Sequence, residues 1–270
     1  MKIAFIGGGN MASALIGGLL RRDVAATDLG VLEINPEARA RISAEFGVST
    51  YAQADDALRD FDALVLAVKP QVLKSVAESL APYVENQVVI SIAAGIRAAD
   101  IARWLGGYNK IVRAMPNTPA LIGMGVTGLA ALPSVDAAGR ELAGAVLAAV
   151  GQVVWCDAES RIDAVTAISG SGPAYVFYFI EALQQAALQM GLDEAQARTF
   201  AVSTFTGAAQ LAAQSDEAIG TLRERVTSKG GTTAAALASF DTDQVAAAIV
   251  RGARAAEQRA QTMGDEMGAD

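Results

Sequence analysis

The chain has no histidine, and it has one cysteine, Cys156, among 270 residues. Without histidine, the protein cannot use a Ser-His-Asp triad, a histidine metal site or the histidine acid of many dehydrogenases. A lone cysteine cannot form an internal disulfide or a cysteine metal cluster. We therefore expect no metal site and a function that does not depend on histidine.

Positive charge and long apolar runs are also scarce. The formal net charge of −8 argues against nucleic acid as a partner. No stretch reaches about 18 uninterrupted apolar residues, so no membrane span is predicted. No charged segment followed by a long apolar run opens the sequence, and no signal peptide is expected. The chain is expected to be folded, since hydrophobic residues make up 52% and charged residues 19% of it. With neither a signal peptide nor a membrane span predicted, a soluble cytoplasmic protein is the default expectation.

Short β-type runs alternate with helical patterns in the first part of the chain. The predicted strands are Lys2–Ile6, Val31–Ile34, Asp62–Val68, Gln87–Ile92 and Lys110–Met115. The helical patterns between them lie near Glu37–Phe46, Pro70–Leu80 and Ala98–Leu105. This alternation predicts an α/β fold with a Rossmann-like, doubly wound, mostly parallel sheet. A later pair of runs, Gly125–Leu132 and Gln152–Cys156, brackets a helix near Asp136–Val150 and can extend the sheet.

After about Asp157 the sequence has almost no β-pattern. Three long helices are predicted over Pro173–Met190, Glu194–Gln214 and Thr242–Met263. The segment Ala174–Ile180 is apolar all round a helix and needs burial on every side. Because this half can hardly bury it alone, we expect an intimate homodimer. The predicted domains are a dinucleotide-binding domain at 1–157 and an all-α dimerisation and substrate-binding domain at 158–270, with a candidate joint at Ser169–Pro173.

A glycine motif, Gly7-x-Gly9-x-x-Ala12, follows the first predicted strand and opens a helix. Gly7 makes the turn, Gly9 lets the backbone approach a pyrophosphate, and Ala12 permits close packing of helix on strand. With Asn10 and Met11 between them, these residues predict a dinucleotide site. A tight turn without a ligand is the less favoured interpretation at this position.

Glu33 lies at the end of the second predicted strand. An acid there would accept hydrogen bonds from a ribose hydroxyl and repel a 2′-phosphate, which favours NAD. Asn35 or Arg39 could instead tolerate the phosphate, and a solvated glutamate is an equal alternative. The cofactor therefore stays open between NADP(H) and NAD(H).

Three further strand ends border the expected ligand crevice. The candidate cofactor contacts there are Ala67, Val68, Lys69, Pro70, Ala93, Ala94, Gly95 and Asn117. The small or rigid segments Ser91–Gly95 and Met115–Pro119 could form a floor under a nicotinamide ring, with Asn117 and Thr118 supplying hydrogen bonds. The alternatives are an exposed loop lysine at Lys69 and a stiff turn around Asn117.

A second anion site is predicted at Val226–Thr233, which reads V-T-S-K-G-G-T-T and runs into an alanine-rich helix. Its glycines and the start of the helix offer unpaired N–H groups, which suits a small anion such as a carboxylate. Thr232 or Thr233 could cap this helix. Glu217 and Asp216 precede the loop by about one short helix and could face a cationic substrate nitrogen, although solvated acids are equally expected there.

Six segments together resemble the pyrroline-5-carboxylate reductase family, nearly end to end. They are F-I-G-G-G-N-M-A (Phe5–Ala12), A-V-K-P (Ala67–Pro70), S-I-A-A-G (Ser91–Gly95), R-A-M-P-N-T-P (Arg113–Pro119), S-G-S-G-P-A-Y (Ser169–Tyr175) and V-T-S-K-G-G-T-T (Val226–Thr233). The resemblance implies a Rossmann domain, a helical dimerisation domain, an active site completed across the dimer and, in many members, a ring of dimers. The implied activity is reduction of 1-pyrroline-5-carboxylate to L-proline by NAD(P)H.

The resemblance also implies which residues hold the substrate. They lie in the loop Ser228–Thr233, with Ser228, Gly230, Gly231, Thr232 and Thr233 as candidate contacts. Val226, at the start of the same motif, is a further candidate. Thr233 matches the threonine that hydrogen-bonds the ring nitrogen. A protonated cyclic imine is already electrophilic, so its reduction needs no strong acid from the protein, which suits a chain without histidine.

Two alternative functions have less support. A β-hydroxyacid-type dehydrogenase would depend on a lysine in a helix of the second half, where Lys229 lies in a glycine loop instead. A non-catalytic dinucleotide sensor would need neither the Gly230–Thr233 loop nor the Met115–Pro119 loop.

Overall fold

The computed structural model describes residues Met1–Ala269, and these residues form two compact units. The first, which we call the sheet unit, contains Met1–Ser171 together with the residues from Ala255 onward. The second, which we call the helical unit, is Gly172–Arg254. The boundary after Ser171 falls within the segment predicted as a joint. The division into folding domains at residue 157 stays a prediction.

One sheet of eight strands forms within residues 1–269, in the order β3-β2-β1-β4-β5-β6-β7-β8. The strands are β1 (Ile3–Ile6), β2 (Leu29–Leu32), β3 (Ser49–Tyr51), β4 (Ala63–Leu66), β5 (Val88–Ser91), β6 (Ile111–Met115), β7 (Gly125–Ala131) and β8 (Gly151–Trp155). Neighbouring strands are parallel except for the antiparallel pair β6–β7. The predicted mostly parallel sheet is confirmed. Strand β3 was not predicted, because its three residues, S-T-Y, form no apolar run and none of them is fully buried.

The helices agree closely with the predicted ones. They are α1 (Asn10–Leu20), α2 (Pro36–Phe46), α3 (Pro70–Leu80), α4 (Ala98–Trp104), α5 (Ala137–Ala148), α6 (Arg161–Val165), α7 (Gly172–Gln189), α8 (Glu194–Ala213), α9 (Ile219–Arg225), α10 (Thr232–Thr242) and α11 (Val245–Gly268). The last helix begins at Val245 and not at Thr242 as predicted. The reason is local, because Gln244 has a left-handed φ of 54° that separates α10 from α11. None of these helices in the described residues is long and apolar enough to cross a membrane.

Both faces of the sheet are buried, and this explains the continuous apolar strands. Side chains alternate between the faces of a strand. Ile3 and Phe5 of β1 accordingly lie in one apolar cluster, whereas Ala4 and Ile6 lie in the other. The first cluster includes Leu15, Ile16 and Leu19 of α1 and Val146 and Leu147 of α5, and the second includes Leu73 and Ala77 of α3 and Ile101 and Trp104 of α4. A helix layer on each face therefore covers the sheet, as the doubly wound arrangement requires.

The chain reverses its direction of travel across the sheet between β1 and β4. It adds β2 and β3 on one side of β1, and then returns to place β4 on the other side. Ligands of such sheets bind at the carboxyl ends of the strands next to this reversal. The segments Gly7–Ala12 and Ala67–Pro70 follow those two strand ends directly. Two motifs that are far apart in sequence are therefore neighbours in the fold.

The contact between these two motifs depends on Gly7. This residue has a φ of 102°, and a Cβ placed on it would lie 2.9 Å from the carbonyl oxygen of Ala67 and 2.9 Å from Cγ1 of Val68. We expect Gly7→Ala to lower the free energy of unfolding by about 1–3 kcal/mol through strain and crowding together. Urea denaturation of the purified protein measures this loss.

Gly47→Ala is the matched control. Gly47 also has a left-handed φ, of 68°, but a Cβ there would meet no described atom within 4 Å. This variant carries the strain without the crowding, so its loss should be the smaller one. Equal losses in the two variants would show that the contact with the end of β4 contributes nothing.

Candidate functional site

The turn after β1 offers an anion site. α1 begins at Asn10 after Gly9, and within residues 1–269 no side chain caps it and no acid lies in its first turn. Its first N–H groups therefore have no partner inside the helix. A Cβ on Gly9 would meet no described atom within 4 Å, so space is open beside this backbone. An uncapped helix start next to open space fits the pyrophosphate of a dinucleotide.

A second helix starts beside the first. α3 begins at Pro70, directly after Ala67, Val68 and Lys69, and no side chain of the described residues caps it. Ala67 and Val68 are half-buried, whereas Lys69 is exposed. Lys69 thus follows the carboxyl end of β4 directly after Ala67 and Val68, the two residues that meet Gly7 in the turn of β1. Its contact with a cofactor stays a prediction.

The segment after β5 consists of small residues that are closely packed against the rest of the sheet unit. Ala93 and Gly95 are buried, and Ala94 is half-buried. Gly95 has a φ of 72°, and a Cβ on it would lie 3.0 Å from Cβ of Met263. Small side chains in a tightly packed segment suit the predicted floor under a planar ring.

Asn117 anchors the loop that follows β6 through side-chain hydrogen bonds. Its side chain is 8% exposed. Its Oδ1 accepts a hydrogen bond from the N–H of Val126 at 3.0 Å, and its Nδ2 donates to the carbonyl oxygen of Ser169 at 3.1 Å. These bonds hold the loop against the start of β7 and against the π-helical turn Thr166–Gly170. Asn117 therefore positions the loop, and one N–H of its amide group remains for the predicted bond to a ligand.

A buried charge cluster supports the same edge and was missed by sequence reasoning. The side chain of Arg113 in β6 is 3% exposed and contacts Asp163 at 2.9 Å and Glu159 at 3.3 Å. Glu159 also accepts a hydrogen bond from the N–H of Ala98 at the start of α4. Arginine paired with two carboxylates is an acceptable way to bury these charges. The available signal was an arginine inside an otherwise apolar strand, I-V-R-A-M.

The second predicted anion site lies in the helical unit, between α9 and α10. The prediction that Thr232 or Thr233 caps α10 is wrong. Both threonines belong to the first turn of the helix, and Gly231, with φ −79° and ψ 174°, takes the capping position before them. A Cβ on Gly231 would lie 2.4 Å from Oγ of Ser228, so a larger residue does not fit there without a shift. Gly230 precedes it with a left-handed φ of 72°.

The loop nevertheless keeps the features that an anion needs. Among the described residues no side chain caps α10, and its first turn contains no acid. The N–H groups of its first turn therefore have no partner inside the helix. Val226, Ser228 and Thr232 are exposed, and Thr233 is half-buried. This arrangement can bind a carboxylate through backbone N–H groups, with a threonine hydroxyl beside it.

Glu217 lies between α8 and α9, and its charge is paired. Its Oε1 lies 2.5 Å from Nη2 of Arg225, the last residue of α9. Its Oε2 is buried and accepts no hydrogen bond from the residues that the structure describes. The ion pair ties the two ends of α9 together. A contact between Glu217 and a substrate nitrogen stays a prediction, and Asp216 beside it is exposed.

Comparisons with known families match both regions of the chain. Residues 159–263 match the family model for pyrroline-5-carboxylate reductase dimerisation. Residues 2–95 match the family model for coenzyme F420-dependent NADP oxidoreductase.

Individual proteins match along the whole chain. The pyrroline-5-carboxylate reductase of Pseudomonas aeruginosa is 44% identical over 99% of this chain and 98% of its own length. The corresponding enzyme of Haemophilus influenzae is 42% identical over 97% of each chain. The solved pyrroline-5-carboxylate reductase of Coxiella burnetii superposes with a TM-score of 0.91 at 37% identity, covering 97% of this chain and 98% of that one. The Plasmodium falciparum structure with NADP bound superposes with a TM-score of 0.86 at 28% identity, covering 98% of each chain.

The pyrophosphate site can be tested without any reaction. Gly9 has an ordinary φ of −75°, and its Cβ position is open, so Gly9→Ala should change the free energy of unfolding by at most about 1 kcal/mol. The added methyl group would occupy the space next to the uncapped N–H groups. We expect binding of NAD⁺ and of NADP⁺ to weaken by about tenfold or more, measured by calorimetry. Unchanged binding of both nucleotides would remove the turn of β1 as their site.

Proposed function

This chain belongs to the pyrroline-5-carboxylate reductase family, and on that premise we propose that it reduces 1-pyrroline-5-carboxylate to L-proline with a nicotinamide dinucleotide. Its relatives are oxidoreductases of proline biosynthesis. One observation of the structure carries the proposal furthest, namely that α1 and α10 both begin without a side-chain cap among the described residues. The start of α1 suits the pyrophosphate of a dinucleotide, and the start of α10 suits the carboxylate of the imine.

In the proposed function the sheet unit binds the cofactor. Gly7 and Gly9 bring the backbone close to the pyrophosphate, together with the N–H groups of Asn10, Met11 and Ala12. The small residues Ala93, Ala94 and Gly95 lie under the nicotinamide ring, with Asn117 holding the neighbouring loop. The bound nicotinamide supplies the hydride. The remaining contribution of this unit is to hold the ring in a fixed orientation.

In the proposed function the loop before α10, in the helical unit, binds the substrate. The N–H groups of Gly230–Thr233 bind the carboxylate, and the hydroxyl of Thr233 hydrogen-bonds the ring nitrogen. A protonated imine is already electrophilic, so the protein needs to orient it and to exclude competing water. Holding two reactants in the reactive geometry can supply several kcal/mol of the barrier.

A homodimer is part of this function. α7 runs for 18 residues, and none of them is buried by the described chain. Phe177 is 66% exposed and Tyr178 is 71% exposed, which is unusual for large apolar side chains on the surface of a monomer. The match of residues 159–263 to a dimerisation family accounts for this face. The proposal further includes a cytoplasmic location and a ring of dimers.

The first test is the loss of reduced-nicotinamide absorbance with 1-pyrroline-5-carboxylate, followed in parallel with NADPH and NADH. We expect rapid loss with at least one nucleotide and formation of L-proline in equal amount. No loss with either nucleotide, from folded dimeric protein, would refute the substrate and would favour the dehydrogenase or sensor alternatives.

Thr233→Val tests the hydrogen bond to the ring nitrogen. This substitution keeps the shape of the side chain and removes the hydroxyl, so we expect kcat/KM to fall by about tenfold or more, because one hydrogen bond to a charged group is lost. The melting temperature should stay near that of the wild type, since this hydroxyl caps no helix among the described residues. Thr233→Ser should retain more activity than the valine variant. Full activity of Thr233→Val would contradict the assigned role.

Phe177→Glu tests the dimer face of α7. A charge on this apolar face should shift the protein toward monomer, measured by light scattering during size-exclusion chromatography. Val72→Glu is the matched control, because Val72 is an exposed apolar residue of α3 in the sheet unit. The control variant should remain dimeric. A Phe177→Glu protein that is still fully dimeric would place the interface elsewhere.

A further inference from the structure

The carboxylate of Glu33 is held in one position above the glycine turn. Glu33 follows β2, the neighbour of β1, at the carboxyl edge of the sheet. Its Oε2 accepts a hydrogen bond from the N–H of Gly8 at 2.9 Å, and its Oε1 accepts one from the N–H of Asn35 at 2.9 Å. A solvated glutamate would sample several rotamers, whereas two backbone donors hold this one in place.

Gly8 donates this hydrogen bond from a turn that packs closely against Ile42 of α2. A Cβ on Gly8 would lie 2.2 Å from Cδ1 of Ile42 and 3.5 Å from Oε2 of Glu33. The missing side chain therefore leaves room for Ile42 of α2, whereas 3.5 Å is an ordinary van der Waals distance to the carboxylate. The dinucleotide motif itself demands glycine at positions 7 and 9 only. The third glycine of the run is thus explained by its packing against Ile42.

A 2′-phosphate bound next to β2 would need donors or positive charge, and the start of α2 offers little of either. Oδ1 of Asn35 is engaged as the cap of α2, accepting from the N–H groups of Glu37 and Ala38 at 2.9 and 3.1 Å. Pro36 is the first residue of this helix and has no N–H. Glu37 adds a second carboxylate to the first turn. This helix start is therefore closed to a phosphate, unlike those of α1 and α10.

Arg39 is the one cation between residues 33 and 39, and it is engaged with the backbone. Its Nη1 donates to the carbonyl oxygens of Glu33 and Ile34 at 2.7 and 2.9 Å. The guanidinium offsets one of the two carboxylates of the segment, which leaves a formal charge of −1. A phosphate monoester carries about −1.5 to −2 charges near pH 7 and would enter a region that is already negative.

We propose that Glu33 is the specificity-determining residue of this dinucleotide site, and that it makes the chain prefer NADH to NADPH. The proposal rests on the proposed use of a nicotinamide dinucleotide. A carboxylate has about four lone-pair positions, so two remain for the ribose hydroxyls of NADH after Gly8 and Asn35 have bound. A 2′-phosphate meets the same fixed charge and is repelled. Both nucleotides use the same pyrophosphate site, so the preference is a ratio of two affinities and not an exclusion of NADPH. It is therefore compatible with a solved relative that has NADP bound.

Binding of two fragments measures this preference without any reaction. ADP-ribose and its 2′-phosphorylated form are titrated into the wild-type dimer by calorimetry. We expect ADP-ribose to bind at least about tenfold more tightly. Equal affinities, tighter binding of the phosphorylated fragment, or binding of neither would overturn the proposal.

Glu33→Gln assigns the preference to this residue. The substitution removes the charge at almost constant shape, and we expect the affinity ratio of the two fragments to move by about tenfold toward the phosphorylated one. The ratio of kcat/KM for NADPH over NADH should rise in parallel. Glu45→Gln is the control, because it makes the same charge change at an exposed position near the other end of α2. A ratio that moves equally in both variants, or in neither, would remove Glu33 as the determinant.

The two proposals can fail separately. A chain that discriminates between the fragments but reduces no cyclic imine would lose the proposed function and keep the role of Glu33. A chain that reduces the imine equally well with both nucleotides, and binds both fragments equally, would keep the function and lose the role of Glu33.

Discussion

The candidate cofactor site depends on one close approach of backbone to backbone. The turn after β1 and the end of β4 can lie side by side because Gly7 has no side chain and adopts a φ of 102°. This contact sits where the chain reverses its direction across the sheet, which is the place where parallel sheets offer a crevice. The starts of α1 and α3 lie beside this contact, since each helix begins directly after one of the two strand ends.

The N-termini of the helices differ in whether they can bind an anion. α1 and α10 begin without a side-chain cap among the described residues, so their N–H groups are available to an anion. α2 begins with Asn35 as its cap, a proline and a glutamate, so its N-terminus is closed to one. Glu33 sits between the open and the closed helix start. Unpaired N–H groups thus favour a phosphate at the end of β1, whereas capped N–H groups and the carboxylates of Glu33 and Glu37 disfavour one at the end of β2.

The two units differ in how completely they bury their apolar side chains. The sheet unit covers both faces of its sheet with its own helices, and every residue of β1 is buried. The helical unit leaves large apolar side chains of α7 uncovered by the described residues. A second copy of the chain is the partner that the dimerisation family provides. The exposed apolar side chains and the match to a dimerisation family therefore point to the same face of the helical unit.

The sequence by itself determined the element types, the parallel sheet and the glycine motifs, because periodicity and turn chemistry are local properties. It could not locate β3, which is too short to carry a pattern, or the cap of α10, which depends on the conformation of Gly231. Only the tertiary structure decided that Asn117 bonds Val126 and Ser169, that Arg113 bonds Asp163, and that Glu33 bonds Gly8. These partners lie 9 to 52 residues apart in sequence, and no local pattern encodes contacts made by chain reversal across a sheet.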